Sequence, residues 1–110
     1  MTFTTGQQIG LLGGPLYTTY KVLGAAKLAA EKKGKAVYWL ETNDADFEEI
    51  SKLSFINASG ELQHLVWEKK TGGQTSGSVL VDESLRALLE NYFSALPKTE
   101  DRDPLRELAL

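Results

Sequence analysis

A glycine-rich stretch near the start constrains this chain most. Thr5-Gly-Gln-Gln-Ile-Gly-Leu-Leu-Gly-Gly-Pro15 separates a short β-prone run, Met1 to Thr5, from a long helical pattern. A strand, a glycine loop and a helix in that order bring backbone N–H groups to the positive end of a helix. Nucleotide-binding α/β folds hold anions in this way. The 110 residues give room for one domain with one modest core.

The pattern downstream continues an α/β reading. Pro15 suits the first turn of a helix, where its missing N–H costs nothing. From Leu16 to Lys33, apolar residues recur at helical spacing at Leu16, Tyr20, Leu23, Ala26 and Ala30, with Val22, Ala25 and Ala29 widening the stripe. Gly34 is a natural residue to follow the helix end. Ala36-Val-Tyr-Trp-Leu40 is a continuous apolar run that reads as a parallel strand buried on both faces. Strand, helix and strand together make one βαβ unit of a Rossmann-like core.

Further on, Asn43 or Asp44 can cap a second helix running through Lys52, with Phe47, Ile50 and Leu53 on its apolar edge. Ser54–Asn57 and Glu61–Lys69 read as two strands around the Ala58-Ser-Gly60 turn. In the second of these, Leu65 and Trp67 share one face and His64 and Val66 the other. Thr71–Gly77 is a loop, and Ser78–Val81 a fifth short strand. Asp82 caps the clearest helix, with Leu85, Leu88, Leu89, Tyr92 and Phe93 at i, i+3, i+4, i+7 and i+8, ended by Leu96-Pro97. Asp103-Pro-Leu-Arg-Glu-Leu-Ala-Leu110 opens like a helix but stops after about two turns, a length marginal in isolation. The expected organisation is thus α/β: a partial Rossmann-like core over residues 1–97 with a β-hairpin extension and an amphipathic helix, then a truncated helix or tail over 98–110.

Composition narrows the function classes. The formal net charge is −3, and the run Lys32-Lys33-Gly34-Lys35 reads as a solvated helix end, so no nucleic-acid partner is expected. With no cysteine there is no disulfide framework, and the cytoplasm is the simple expectation. No apolar run approaches the roughly 18–20 residues that a membrane span needs. His64 is the only histidine and builds no metal site alone; as a strand residue it reads as structural or exposed.

Several side chains stand where a ligand would bind. Gly6, Gly13 and Gly14 let backbone approach an anion, and a helix starting near Pro15 adds about 0.3–1 kcal/mol through its dipole. Gln7 and Gln8 are amides beside the loop, while Tyr17, Thr18 and Lys21 lie within two turns of the helix start. Neither the P-loop pattern nor the dinucleotide fingerprint is present, so spacing alone leaves two readings open: a ligand cradle and a structural strand-to-helix turn. Asp44, Asp46 and Glu49 follow the second strand, at the end where doubly wound sheets bind ligands, and Asp46 and Glu49, at i and i+3, can share a helix face. Capping and compensation of the helix dipole account for them nearly as well.

The order Thr5-Gly-Gln-Gln8, Gly10-Leu11, Gly14-Pro-Leu-Tyr-Thr18, then Val37-Tyr-Trp39 and Asp44-Ala-Asp-Phe-Glu-Glu-Ile50 resembles the cysteine ligase family of bacillithiol synthesis, BshC. That family carries Thr-Gly-Gln-Gln-x-Gly-Leu-x-x-Gly-Pro-Leu-Tyr-Thr, a Phe-Trp strand and a Glu-Asp-His-Asp-Phe-x-Glu-Ile segment. This chain departs at Asn43 and Ala45, where the family has Glu and His. The resemblance implies a piece of the N-terminal Rossmann-like core of a longer enzyme with a helical coiled coil, a homodimer in the parent. It implies an activity that joins cysteine to glucosaminyl-malate through an amide bond, with ATP or ADP as activating nucleotide and no metal. Asp44 and Asp46 would then be catalytic, and Gly6, Gln7, Gln8, Gly13, Gly14, Tyr17, Thr18 and Lys21 would bind substrate or anion. The 110-residue piece alone is expected to be inactive. The alternatives are a nucleotide- or phosphate-binding module of unrelated function, and a non-enzymatic interaction piece using the Leu85–Phe93 and Leu105–Leu110 faces.

Overall fold

The computed structural model describes residues 1–43 and 46–110. Strand β1 (Thr2–Gln8) leads through a single 3-10 turn (Leu11–Gly13) into helix α1 (Leu16–Glu31), and strand β2 (Lys35–Glu41) returns beside β1. The two strands are parallel, in register from Thr2 opposite Lys35 to Gln8 opposite Glu41. The β1–α1–β2 unit is therefore as the sequence pattern implies. Strand β1, however, runs three residues further than its β-prone composition suggests. Pairing with Trp39, Leu40 and Glu41 draws Gly6, Gln7 and Gln8 into the ladder, which overrides weak local propensity.

α1 presents a different face from the one its larger side chains suggest. The buried residues are Thr18 and Ala29, with Lys21, Val22 and Ala25 half-buried beside them. Leu16, Tyr20 and Leu23 stay 59–68% exposed. Small side chains let the helix lie close on a two-stranded sheet, and that closeness decides the face. The helix ends with Lys33 in the left-handed conformation (φ 51°), not Gly34. Gly34 N–H donates to Ala29 O at 2.8 Å and Lys33 N–H to Ala30 O at 3.3 Å, the paired bonds of a Schellman end. β2 is not buried on both faces, since Val37, Tyr38, Trp39 and Leu40 are 39–64% exposed. Among the described residues, only β1 and α1 make extensive contact with it.

The second layer is a hairpin with a helix. A single turn, α2 (Phe47–Ile50), precedes β3 (Lys52–Ile56) and β4 (Leu62–Val66), which pair antiparallel with Lys52 opposite Val66 and Ser54 opposite His64. The expected longer helix capped by Asn43 or Asp44 shrinks to this turn. Asp46 is its cap, accepting from Glu49 N–H at 3.2 Å, and β3 begins already at Lys52. Asp44 lies outside the described residues. Leu65 and Trp67 are buried, with His64 and Val66 exposed, as the alternation implies. Ser78–Val81 forms no strand: a 3-10 turn covers Ser76–Ser78, and Leu80 and Val81 are 80% and 72% exposed.

The main core lies between the hairpin and helix α3 (Glu83–Ala95). Phe47, Leu65, Trp67, Leu85 and Leu89 form it, with Leu53, Phe55, Leu88 and Tyr92 packed against them. Phe47 meets Trp67 edge to face at 5.3 Å. α3 has the apolar face its spacing implies and the cap at Asp82, whose carboxylate accepts from Ser84 N–H at 3.0 Å. Helix α4 (Arg102–Ala109) begins two residues earlier than the Asp-Pro signal suggests, with Asp101 instead of Asp103 at the cap position. It is tied to α3 by a two-pronged Arg106–Glu90 pair, with N–O distances of 2.6–2.9 Å, and Leu110 packs on the core.

Candidate functional site

The segment between β1 and α1 is tightly folded. Gly13 N–H donates to Gly10 O and Gly14 N–H to Leu11 O. Leu12 takes a left-handed conformation (φ 52°, ψ 35°) that few non-glycine residues adopt. Gly14 (φ 76°, ψ −155°) occupies a region that is almost exclusively glycine's. A Cβ on Gly10 would lie 3.0 Å from Gly14 Cα, so this residue lets the loop close on itself.

Pro15 (φ −65°, ψ 152°) then sets the start of α1, which has no side-chain cap. The first-turn N–H groups of Leu16 and Tyr17 therefore have no partner within the helix. Directly behind them, Thr18 Oγ1 is the one buried side-chain polar atom among the described residues without a hydrogen-bond partner, in a residue 3% exposed. It lies 3.7 Å from the position a Gly14 Cβ would take. An unsatisfied buried hydroxyl costs about 1–3 kcal/mol. Thr18 does not itself line the groove beside the loop.

The loop forms one wall of a groove of ≈ 630 Å³. Gln7, Gln8, Gly10, Gly14 and Thr19 line this wall. Glu49 and Ile50 of α2, Lys52, Leu53 and Ser54 of β3, and Tyr92 of α3 line the other. Burial pushes the Tyr92 phenol above its ordinary pKa, so it is a neutral donor near pH 7. Ser54 Oγ hydrogen-bonds to His64 Nδ1 at 2.9 Å, which satisfies the chain's only histidine across the hairpin.

The structure brings Gln7, Gln8 and Gly14 to the groove and leaves other expected residues elsewhere. Gly6 lies in the β1 ladder instead of the loop. Its missing side chain admits Trp39, whose carbonyl oxygen would be 3.2 Å from a Cβ. Lys21 Nζ donates to Gly6 O and, at 3.2 Å, to Gln7 Oε1, and it sits 5.5 Å from the Tyr17 ring centroid. It ties α1 to β1 and does not line the groove. Tyr17 is 68% exposed. Gly13 is in the loop with open space around its Cα. Asp46 caps α2 at its exposed end. Glu49, an acidic residue that the pattern did place after the second strand, lines the groove, whereas Lys52 and Tyr92 are groove residues that the pattern did not suggest. Their only sequence signal is that α2 and β3 follow β2, at the end of the parallel sheet where ligands bind.

Comparison with known proteins places this geometry in a family. The description "Bacillithiol biosynthesis BshC, N-terminal Rossmann-like domain" matches residues 1–109. The chain belongs to the BshC family. A relative from Chlorobaculum tepidum is 33% identical over 98% of this chain. One from Flavobacterium johnsoniae is 34% identical over 97%, and one from Halalkalibacterium halodurans 36% identical over 93%. All three carry the name "Putative cysteine ligase BshC". The chain spans about a fifth of the length of these curated relatives, 20–21%. As a BshC N-terminal domain it is α/β and Rossmann-like, the fold class read from its sequence. Among the described residues, no helix is long and apolar enough to cross a membrane.

Proposed function

We propose that this BshC domain supplies a substrate-binding groove to a ligase that joins cysteine to glucosaminyl-malate through a carbon–nitrogen bond. One observation carries the groove's role: an uncapped helix start with an orphaned Thr18 hydroxyl behind a glycine-only backbone position. An anionic substrate group, such as a carboxylate, would receive the Leu16 and Tyr17 N–H groups and draw the Gly14 turn toward Thr18. The Gly10–Gly14 loop, Gln7 and Gln8 would hold this group. Asp46, at the exposed end of α2, would meet the second substrate. The reading draws on the name shared by the relatives and on this geometry.

The groove fits a nucleoside triphosphate poorly. The lysine nearest in sequence to the helix start is committed to Gly6 and Gln7, and in the far wall Glu49 offsets the charge of Lys52, so the wall offers a polyanion no net positive charge. An activating ATP or ADP would therefore sit elsewhere in the full-length protein. The isolated domain would be inactive, because residues 1–110 provide a single pair of parallel strands and a Rossmann-type site draws loops from both halves of its sheet. The interaction-piece reading loses one of its faces: Leu85 and Leu89 are spent in the internal core and Phe93 is buried at 4% exposure.

Thr18→Val tests the groove. The substitution removes the hydroxyl at nearly constant shape. We expect the unliganded protein to be as stable as the parent or more so. A hydrogen bond to a charged group is worth about 1.5–3 kcal/mol, so affinity for a bound carboxylate substrate should fall roughly 10- to 100-fold. Unchanged affinity, measured by titration calorimetry on the full-length protein with glucosaminyl-malate and cysteine, would refute the assignment. For the reaction itself, deleting the full-length gene should abolish cellular bacillithiol in thiol mass spectrometry; a persistent thiol pool would refute it.

A further inference from the structure

Gln7 is the next-to-last residue of β1, half-buried, and it lines the groove at the carboxyl end of the parallel strands. Lys21, on α1, does not line the groove. The two side chains nevertheless meet: Lys21 Nζ donates to Gly6 O and, at 3.2 Å, to the side-chain oxygen of Gln7. An ammonium is a donor only, so the Gln7 atom that faces it is the carbonyl oxygen, Oε1. The amide nitrogen then faces away from Lys21. Among the described residues neither of its two hydrogens has a partner.

We propose that Lys21 is a positioning residue: its ammonium locks the Gln7 amide with the nitrogen toward the groove, where it donates to an oxygen acceptor of the bound substrate. The inference rests on the substrate-binding reading above and adds to it one donor and the residue that aims it. Turning the amide over would set two donors against each other and give up a charge-assisted hydrogen bond, about twice as strong as a neutral one. A glutamine without such a partner spreads over many rotamers, and binding must gather them each time. The second bond of Lys21 anchors the ammonium. Gly6 O belongs to the β1 backbone, which pairs with Trp39 of β2, so the donor is referenced to the sheet. The tie is structural, and what it sets includes the direction of the amide. Lys21 itself touches no ligand in this arrangement; its charge acts through Gln7.

A double-mutant cycle separates aiming from simple support. The readout is the affinity of the full-length protein for glucosaminyl-malate, which carries carboxylate acceptors, by titration calorimetry. Gln7→Ala should weaken it roughly 10- to 100-fold, the worth of one hydrogen bond to a charged group. Lys21→Met should weaken it about tenfold through the freed rotamers of Gln7, yet by less than about twofold once Gln7 is already alanine. Equal losses on both backgrounds would show that Lys21 only supports the fold and would overturn the proposal. So would an unchanged affinity in the single Lys21→Met variant. Gln7→Glu covers the case in which Lys21→Met does not fold. It keeps an oxygen for Lys21 and the shape of the side chain, and it puts an acceptor where the donor nitrogen stood. The melting temperature should hold while affinity falls at least tenfold; retained affinity would overturn the proposal. If Thr18→Val weakens binding and Gln7→Ala does not, the amide assignment fails while the groove stands. If affinity ignores Thr18→Val, the groove reading fails and this inference with it.

Discussion

Alanine at Gly14 and alanine at Gly24 should change stability in opposite directions, although neither new methyl group meets an obstacle. At Gly14 the added Cβ would have Thr18 Oγ1 as its nearest neighbour at 3.7 Å, an ordinary contact; at Gly24, in the middle of α1, it would meet nothing within 4 Å. Packing is thus removed from the comparison and the backbone decides. Gly14 holds φ 76° and ψ −155°, where an L-residue pays about 1–3 kcal/mol of strain. Gly24 is helical, and alanine there gains about 0.5–1 kcal/mol through helix propensity and the smaller entropy of the unfolded chain. Part of that entropy gain also offsets the strain at Gly14. Gly14→Ala should therefore lose about 0.5–2 kcal/mol, and the gap between the variants, about 1–3 kcal/mol, measures the strain. At roughly 4 °C per kcal/mol for a domain near this size, the melting temperatures should differ by on the order of 4–12 °C. Urea unfolding followed by circular dichroism gives the free energies directly. If the two variants fall within a few tenths of a kcal/mol of each other, the loop is not held in a glycine-only conformation and the argument for a preformed turn collapses.

Other outcomes follow from the second layer. Asp82 has its pKa lowered from 3.8 to about 2, first by the Lys69 hydrogen bond and then by that of Ser84. Its contribution to stability is therefore complete above about pH 4 and lost as the pH falls through about 2; Asp82→Asn should flatten that part of a stability–pH curve, and an unchanged curve would count against the pairing. Leu89, 7% exposed in the core, should cost about 2–5 kcal/mol when cut to alanine, whereas a loss under about 1 kcal/mol would mean that α3 is not anchored there. Arg106→Ala removes the clasp on Glu90 and should speed amide exchange across Arg102–Ala109 while α3 stays protected; equal protection of α4 in the variant would show that the clasp does not hold it.

The parts of this fold that were legible in the sequence are those in which local pattern and final contacts agree. The glycine run between a strand and a helix announced the βαβ unit. The i, i+3, i+4 spacing of Leu85, Leu88, Leu89, Tyr92 and Phe93 fixed the buried face of α3. Alternation through Leu65 and Trp67 fixed that of β4. Where partners decide, the pattern misled. β1 continues through Gly6–Gln8 because β2 offers Trp39–Glu41 as a ladder. On α1 the leucine and tyrosine stripe has the greater hydrophobicity, yet the alanine side lies on the sheet, since close approach rewards small residues. The α2 helix shrank to one turn once Asp46 served as its cap and Lys52 entered the hairpin.

The candidate site divides along the same line, and the division says something about how such sites are encoded. Its glycine wall is contiguous in sequence, so Gln7, Gln8 and Gly14 fall in one stretch, although spacing alone leaves a structural strand-to-helix turn open as well. Its opposite wall exists only because a hairpin and α3 fold back beside the loop. Lys52 and Tyr92 are ordinary residues until that placement occurs, and Glu49 stands out only as an acidic residue after the second strand. Lys21 shows the converse: its position in the first turns of α1 suggests a role in anion binding, and the distance to Gly6 and Gln7 gives it a structural one. On the proposed reading, the backbone wall would recognise little more than negative charge. Discrimination between one anion and another has to come from side chains on the far wall, where Glu49 and Lys52 oppose each other in sign. A domain can keep its family motif intact and still change what it binds by altering residues on the far wall. The variation at Asn43 and Ala45, immediately before α2, falls beside that wall in sequence.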